Sequence, residues 1–283
     1  MTIIITALLM LILLIAMLIL MYIYTDNENI QVTSYQITHE QIPSEFNGFR
    51  IAQVADLHNT EFGDNNSDLL SLLVESKPDI IVFTGDQIDA RRLDFDIVLH
   101  FVQEAVKIAP CYLVTGNHEG SIPQTAQHLS ILEDAGVIVL MDELIELDHN
   151  GATIDLIGLH DATMSRLYSI YYPKEILEMA LQDLDLNKEH FTILLAHNPE
   201  FLYVYERNHI DLALCGHNHG GQIRIGDQGL ISAGKKLFPK YDAGVYTLDD
   251  ATMVLSRGLG NSAFPWRINN PPELVIVELN TAT

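Results

Sequence analysis

Five short segments gather side chains able to hold divalent metal ions: Asp56-Leu57-His58, Gly85-Asp86-Gln87-Ile88-Asp89, Gly116-Asn117-His118-Glu119, His197 before Asn198, and Gly216-His217-Asn218-His219. Each follows an apolar run that reads as a β-strand, so each places Asp, Asn or His on a loop at a strand end. Ionisable groups do not accumulate in a core unless something pairs them, because an uncompensated charge out of water is costly. Oxygen donors mixed with imidazoles on five glycine-bearing loops describe a site for two divalent cations. With no thiolate among them, such donors suit Mn, Fe or Zn rather than Ca.

The segments differ in how much each says alone. In Asp56-Leu57-His58 one residue separates the two polar side chains, so an extended backbone aims both to the same side. A surface Asp with a nearby His is an equally common origin of that pattern. Asp86 closes the next apolar run with two oxygens suited to bridging two ions. Asp89 reads either as an acid starting a turn or helix or as a group orienting a catalytic histidine. Asn117 offers a neutral carbonyl oxygen; a Gly-Asn turn explains that residue but not the His118-Glu119 pair behind it. His197 by itself reads as a packed core histidine. Gly216-His217-Asn218-His219-Gly220-Gly221 is the most specific segment, with two imidazoles two residues apart among glycines that permit close backbone approach. Five of the chain's twelve histidines fall in these segments, and the other seven, His128 among them, are expected on the surface or in packing. His160-Asp161 ends a further strand beside the expected cleft. Arg257 and Arg267, in the Gly/Pro-rich closing segment, are expected to fix that loop by ion pairs in preference to contacting phosphate.

Strands and helices alternate around these loops. Strands are expected over 49–55, 79–84 and 110–115, with helices over 67–75, 95–107 and 123–135, which argues for βαβ units and an α/β fold. Strands over 152–158 and 191–196 flank a helix over 173–185; a strand over 210–215 and several short strands within 222–279 follow. Two sheets packed face to face with helices outside is the simplest arrangement.

Residues 3–24 carry no charge, and roughly 22 helical residues at ~1.5 Å each match the ~30 Å hydrocarbon core of a bilayer. A cleaved signal peptide would have a basic start and small residues at its end; here no Lys or Arg precedes Arg50, and Met21-Tyr22-Ile23-Tyr24 suits cleavage poorly. An uncleaved anchor over residues 1–24 is expected, then a linker and first strand over 25–48 and a catalytic domain over 49–283. With no basic residue flanking the span, and Asp26 and Glu28 after it, the domain is placed outside the cytoplasm of a single-pass membrane protein. Fifteen basic against 38 acidic residues, a net charge of −23, exclude a general grip on long nucleic acid. Two dications can nevertheless reverse the local field for a small phosphate ester. Cys111 and Cys215 lie in apolar runs and are expected as buried thiols.

The order D-x-H, GDxxD, GNHE, H, GHxH over residues 49–220 resembles the calcineurin-like metallophosphoesterase superfamily. The apolar lead, AHNPE, GHNHGGQIRI and the closing SRGLGNSAFPWRINNPPELVIVEL resemble its small anchored or exported bacterial phosphoesterases. The resemblance implies a four-layer αββα sandwich. It implies one metal held by Asp56, His58 and His219, a second by Asn117, His197 and His217, and Asp86 between them. It further implies a phosphodiesterase-type hydrolysis of a phosphate ester or anhydride, with a metal-bridging hydroxide attacking, His118 as general acid and Asp89 fixing its tautomer. The expected substrate is a phosphorylated small molecule or a lipid at the membrane or envelope, such as a phospholipid or nucleotide-sugar lipid. Rivals are an anchored metal-binding protein without catalysis and a small-nucleotide phosphodiesterase. Ser/Thr protein phosphatases of the superfamily follow the last Asp of GDxxD with Arg-Gly; here Asp89 precedes Ala90-Arg91, which lowers that reading.

Overall fold

The computed structural model describes residues 2–164, 172–232, 236–261 and 264–282. Its elements run α1 (Thr2–Glu28), β1 (Gln31–His39), β2 (Arg50–Val54), α2 (Ser67–Ser76), β3 (Ile80–Thr84), α3 (Phe95–Ala105), β4 (Cys111–Val114), α4 (Asn117–Gly120), α5 (Thr125–Asp134) and β5 (Ile138–Val139). The second half continues with β6 (Glu143–His149), β7 (Ala152–Gly158), α6 (Pro173–Gln182), β8 (Thr192–Leu195), α7 (Leu202–Arg207), β9 (Leu212–Cys215), β10 (Arg224–Ile225), β11 (Gln228–Gly229), β12 (Gly244–Leu248), β13 (Ala251–Leu255) and β14 (Glu273–Thr281).

Two six-stranded sheets form, in the orders β1-β14-β2-β3-β4-β5 and β12-β13-β9-β8-β7-β6. β2, β3, β4 and β5 are parallel, as are β7, β8, β9 and β13, so each sheet has a parallel centre and a common C-terminal edge. Strands such as Ile-Ile-Val-Phe-Thr of β3 are apolar on both faces because both faces are covered. One face of each sheet meets the other sheet through Ile51, Val82, Val114, Leu195, Leu214 and Val277. The outer face of the first sheet packs on α2, α3 and α5 through Leu73, Phe101 and Leu132, and that of the second on α6 and α7 through Leu177 and Tyr205. The architecture is therefore the expected four-layer αββα sandwich. Helix starts carry their own signals: Asp94 accepts from the Asp96 amide at α3, and Pro173 opens α6 with Glu175 accepting from the Tyr172 amide. Cys111 and Cys215 are free and buried.

Three differences have local causes. Residues 25–34 are not a linker, because α1 runs through Glu28 and β1 begins at Gln31. Polar side chains near the end of α1 are used: Asn27 Nδ2 donates to the Arg267 carbonyl at 3.0 Å and Asn27 Oδ1 accepts from the Arg267 amide at 2.9 Å. Likewise β1 is no separate unit preceding residue 49, since it pairs in parallel along its whole length with β14 at the end of the chain. The last strand, β14, is long, nine residues, because it lies between β1 and β2, parallel to the first and antiparallel to the second.

Candidate metal centre

All five segments arrive at the C-terminal edges of the two sheets. The first sheet supplies Asp56 and His58 after β2, Asp86 and Asp89 after β3, and Asn117 and His118 after β4; the second supplies His197 after β8 and His217 and His219 after β9. Gln53 ties the sheets beneath them, its Nε2 donating to Thr84 Oγ1 at 3.0 Å and across to the Cys215 carbonyl at 2.8 Å. The loops turn abruptly. Asp56, His58, Asp86, His217 and His219 all have left-handed φ, between 48° and 76°. For residues with a Cβ this region costs of order 1–3 kcal/mol each and is held only where surrounding contacts dictate it. A side chain at Gly116 would collide with the Asp86 carboxylate, so glycine there permits the close approach.

Donor atoms converge in three overlapping groups, Asp56/His58/His219, His58/Asp86/His118 and Asp86/His197/His217, each within 4.8 Å. Asp86 Oδ2 lies 3.3 Å from His197 Nε2 and 3.7 Å from His58 Nε2, and so faces both sides. Asn117 Oδ1 lies 3.2 Å from His197 Nε2, beside the third group. All seven expected ligand residues are thus drawn together.

The hydrogen bonds show which atoms stay unpaired. His197 Nδ1 lies 2.9 Å from the Thr84 carbonyl and His219 Nδ1 lies 3.3 Å from the Gly260 carbonyl. Both carbonyls can only accept; burial opposes charge on His197, but Asp86 overrides it and holds that ring well above the ordinary imidazole value. Ring nitrogens crowd one another: His58 Nε2 and His219 Nε2 are 3.2 Å apart, and His197 Nε2 is 3.1 Å from His217 Nδ1. Burial pushes His58 down to about 3 and His217 to about 4, and drives His219 well below the ordinary imidazole value, which keeps these rings neutral. Burial also raises Asp56 to about 7, opposed by His197 and reinforced by the neighbouring Asp86 charge. Burial opposes charge on Asp86 too, but His197 overrides it and holds that carboxylate well below the usual range. Imidazole nitrogens and carboxylate oxygens gathered this closely out of water are the donors that divalent cations take. The donor set therefore fits two divalent ions.

His118 lies beside this cluster, its Nε2 4.0 Å from Asp86 Oδ2. The Ala90 amide donates to His118 Nδ1 at 3.0 Å, while Arg91 Nη2 is 3.2 Å from Nε2. A neutral ring cannot accept at both nitrogens. The backbone amide is fixed whereas the Arg91 side chain is 45% exposed, so we assign the proton to Nε2, the nitrogen turned toward Asp86. Asp89 Oδ1 approaches Nδ1 at 3.4 Å but is engaged by the Arg91 amide and Nε, and Oδ2 by Arg92. The hydrogen-bond donor at Nδ1 is thus the Ala90 amide, with Asp89 organising the turn that presents it.

Several participants had little or no signal in the sequence. Glu119, buried, accepts from the amides of Gly116, Asp86, Gln87 and Ile88 at 2.7, 2.9, 2.8 and 3.2 Å. Burial and Asp86 raise its pKa to about 7 while those amides oppose the rise. Its only signal was its place directly after His118. Arg257 forms the expected ion pair, with Glu273 at 2.9 Å. Arg267 does not: fully buried, it donates to the carbonyls of Arg257 and Gly260, with Nη2 3.4 Å from His219 Nδ1. Carbonyls replace a carboxylate because Arg267 closes the loop that supports His219. His160 and Asp161 line a cavity of about 200 Å³ beside Asn117, His197 and His217, whose other wall is Leu159, Leu177, Phe201 and Tyr205.

Comparison with known proteins agrees with this architecture. The family model for calcineurin-like phosphoesterase matches residues 49–221. Phosphodiesterase YaeI of Escherichia coli (strain K12) is 29% identical over 240 residues, covering 82% of each chain. A transmembrane protein with metallophosphoesterase domain from Bos taurus is 26% identical over 262 residues, 89% of this chain and 57% of that protein. The crystal structure of TT1561 of Thermus thermophilus aligns over 75% of this chain and 90% of its own, with a TM-score of 0.51 at 13% identity, a likeness of fold alone.

Proposed function

This chain belongs to the calcineurin-like phosphoesterase family and is a metal-dependent phosphoester hydrolase, and we propose that it cleaves a phosphodiester presented at a membrane. The observation carrying the catalytic reading is the convergence of imidazole nitrogens on Asp56, Asp86 and Asn117. In this reading Asp56, His58 and His219 hold one ion, Asn117, His197 and His217 the other, and Asp86 serves both. Two divalent ions supply the charge that draws in phosphoryl oxygens and the acidity that makes a water nucleophilic at neutral pH. Mn, Zn and Fe all suit the donors.

The chain's own residues do the rest. His118 Nε2–H donates its proton to the departing oxygen, and the Ala90 amide keeps Nδ1 an acceptor so that the proton stays on the useful nitrogen. Arg91, beside Nε2, places positive charge where negative charge develops on the leaving group. Leu159, Leu177, Phe201 and Tyr205 give the neighbouring cavity an apolar wall, which suits a diester whose second substituent is organic.

A membrane location rests on α1. Its 27 residues, about 40 Å of helix, are uncharged up to Asp26, and residues 3–21 stand clear of the folded body. The Bos taurus relative, a transmembrane protein by name, is consistent with an anchor. We place the catalytic domain on the extracytoplasmic side, with a phospholipid or nucleotide-sugar lipid as the substrate class.

The test is metal content and turnover of the full chain in detergent on chromogenic mono- and diesters. The expected outcome is about two ions per chain with turnover dependent on them, and His118→Asn lowering turnover ~10²–10⁴-fold with metal content intact. Joint loss of metal and turnover in that variant would make His118 structural. Two bound ions with no turnover on any diester would leave a metal-binding protein.

A further inference from the structure

The five loops around the metal centre are polar, but the surface next to the end of α1 is not. Outside α1, six described large apolar side chains are more than half exposed, and four lie here: Ile225 (67%), Leu237 (67%), Phe238 (60%) and Trp266 (51%). Phe264 joins them, its ring 6.0 Å from that of Trp266. They sit on two stretches of chain, the one following His219 and the one running through Arg267.

Those stretches are fastened to each other and to the anchor. The Arg224 amide donates to the Ile268 carbonyl at 3.0 Å, Asn269 Nδ2 to the Arg224 carbonyl at 3.2 Å, and Gln222 Nε2 to the Phe264 carbonyl at 3.2 Å. From the anchor, the Tyr22 hydroxyl donates to Asn269 Oδ1 at 2.5 Å, Asp26 Oδ2 accepts from the Asn270 amide at 3.2 Å, and Asn27 bonds both backbone groups of Arg267. The Phe238 amide donates to the Leu230 carbonyl at 2.9 Å and the Leu230 amide to the Ile223 carbonyl at 2.8 Å, which ties the stretch carrying Leu237 and Phe238 to the same network.

The local charge agrees. Lys236 and Lys240, two of only fifteen basic residues in a chain of net charge −23, flank Leu237 and Phe238. Lys236 is exposed, though paired with Glu200 at 2.9 Å, and Lys240 lies over the Tyr241 ring. Aromatic rings favour the headgroup level, and lysines beside them are attracted to anionic lipid while their stems lie along apolar surface.

We propose that Ile225, Leu237, Phe238, Phe264 and Trp266 form a collar seated in the interface of an anionic bilayer around the exit of α1. This rests on the reading of α1 as a membrane span. Arg267, within the same stretch, touches both Gly260 and His219, so a seated collar also stiffens the loop behind one expected metal ligand.

Trp266 is the chain's single tryptophan, so tryptophan emission reports on this surface alone. The full chain is placed in phosphatidylcholine–phosphatidylglycerol nanodiscs whose lipids are brominated either near the top of the acyl chains or near their ends. Flotation with the discs reports insertion separately from quenching. The expected result is flotation with about twofold quenching by shallow bromine and less by deep bromine, as for a ring at headgroup depth. Leu237→Asp combined with Phe238→Asp should reduce that quenching while leaving turnover of a water-soluble diester unchanged. Flotation with Trp266 unquenched, or with emission that follows protein concentration instead of bromine as a second copy of the chain would produce, overturns the collar and leaves the anchor standing. Failure to float overturns both.

Discussion

The two sheets contribute unlike halves of the site. The first brings the oxygen donors, Asp56, Asp86 and Asn117, with one ligand imidazole, His58; the second brings only imidazoles, His197, His217 and His219. Their supports differ to match. On the oxygen side a buried anion, Glu119, collects four amides from the loops after β3 and β4, all close in the chain to the donors they place. On the imidazole side no anion gathers the loops, and the supports come from far along the chain: the Gly260 carbonyl for His219 Nδ1 with the Arg267 guanidinium behind it, Asn270 Nδ2 for the His219 carbonyl at 2.8 Å, and the Tyr241 carbonyl for Asn218 Nδ2 at 2.7 Å. A carboxylate ligand needs its loop fixed in position, whereas a histidine ligand needs its proton fixed on the outer nitrogen. A carbonyl on Nδ1 does the second without adding charge.

The comparison breaks most severely at Asp86, because Oδ2 faces both sides of the site. Asp86→Asn should leave less than one ion per chain and lower turnover well beyond the ~10–100-fold typical of groups that only support a ligand. His219→Ala removes a donor from one group alone, so about one ion per chain should remain, held by the Asp86/His197/His217 side. Metal analysis of both variants checks this. Equal metal loss in the two would mean the halves are not separable.

Glu119→Gln sharpens the same contrast with a smaller effect. One oxygen of a carboxylate that accepts four amides becomes a donor facing donors, so at least one buried N–H loses its partner. The cost should be ~1–3 kcal/mol of unfolding free energy, with metal affinity down ~10–100-fold. Denaturation and metal titration of the variant check both, and an unchanged metal affinity would show that the oxygen side holds its shape without this brace.

This asymmetry also explains what could be read before the structure. The ligand segments of both sides were legible, Gly216-His217-Asn218-His219 most of all, because each loop follows its own apolar run and carries its own glycines; the supports divide as the two sides do. For the fold, Ala152–Gly158 was legible to its ends, since alternating and apolar strands carry a period. What escaped was long-range or brief. β14 reads as one of several closing strands, and only its pairing with β1 and β2 makes it central. The six-residue α7 is too short for a periodic signal. Arg267 and Asn270 support His219 from about fifty residues away, and no spacing in the chain connects them to it. Glu119 was visible as a residue and silent as a brace, because its partners are backbone amides, which every residue but proline possesses.

The smallest effect expected at neutral pH lies behind the oxygen side, in the helical layer, and tests whether the imidazoles outside the site are inert packing groups. His128 in α5 is 1% exposed, stacks on Phe95 at 4.7 Å between ring centroids, and has no hydrogen-bond partner at either nitrogen. Burial pushes its pKa down to about 4, against ~6.5 in an unfolded chain. Above pH 6.5 neither state binds this proton, so the group adds no pH dependence. Between pH 6.5 and 4 the unfolded chain takes up a proton that the folded one refuses, so stability falls with falling pH, and below 4 the loss is complete. The total is about 3 kcal/mol. His128→Phe keeps the ring stack and removes the titration, so the difference in unfolding free energy between variant and parent should be flat above pH 6.5 and grow in the variant's favour down to pH 4. Urea denaturation across that range measures it; a pH-independent difference would mean that His128 is hydrated in the folded protein and titrates normally.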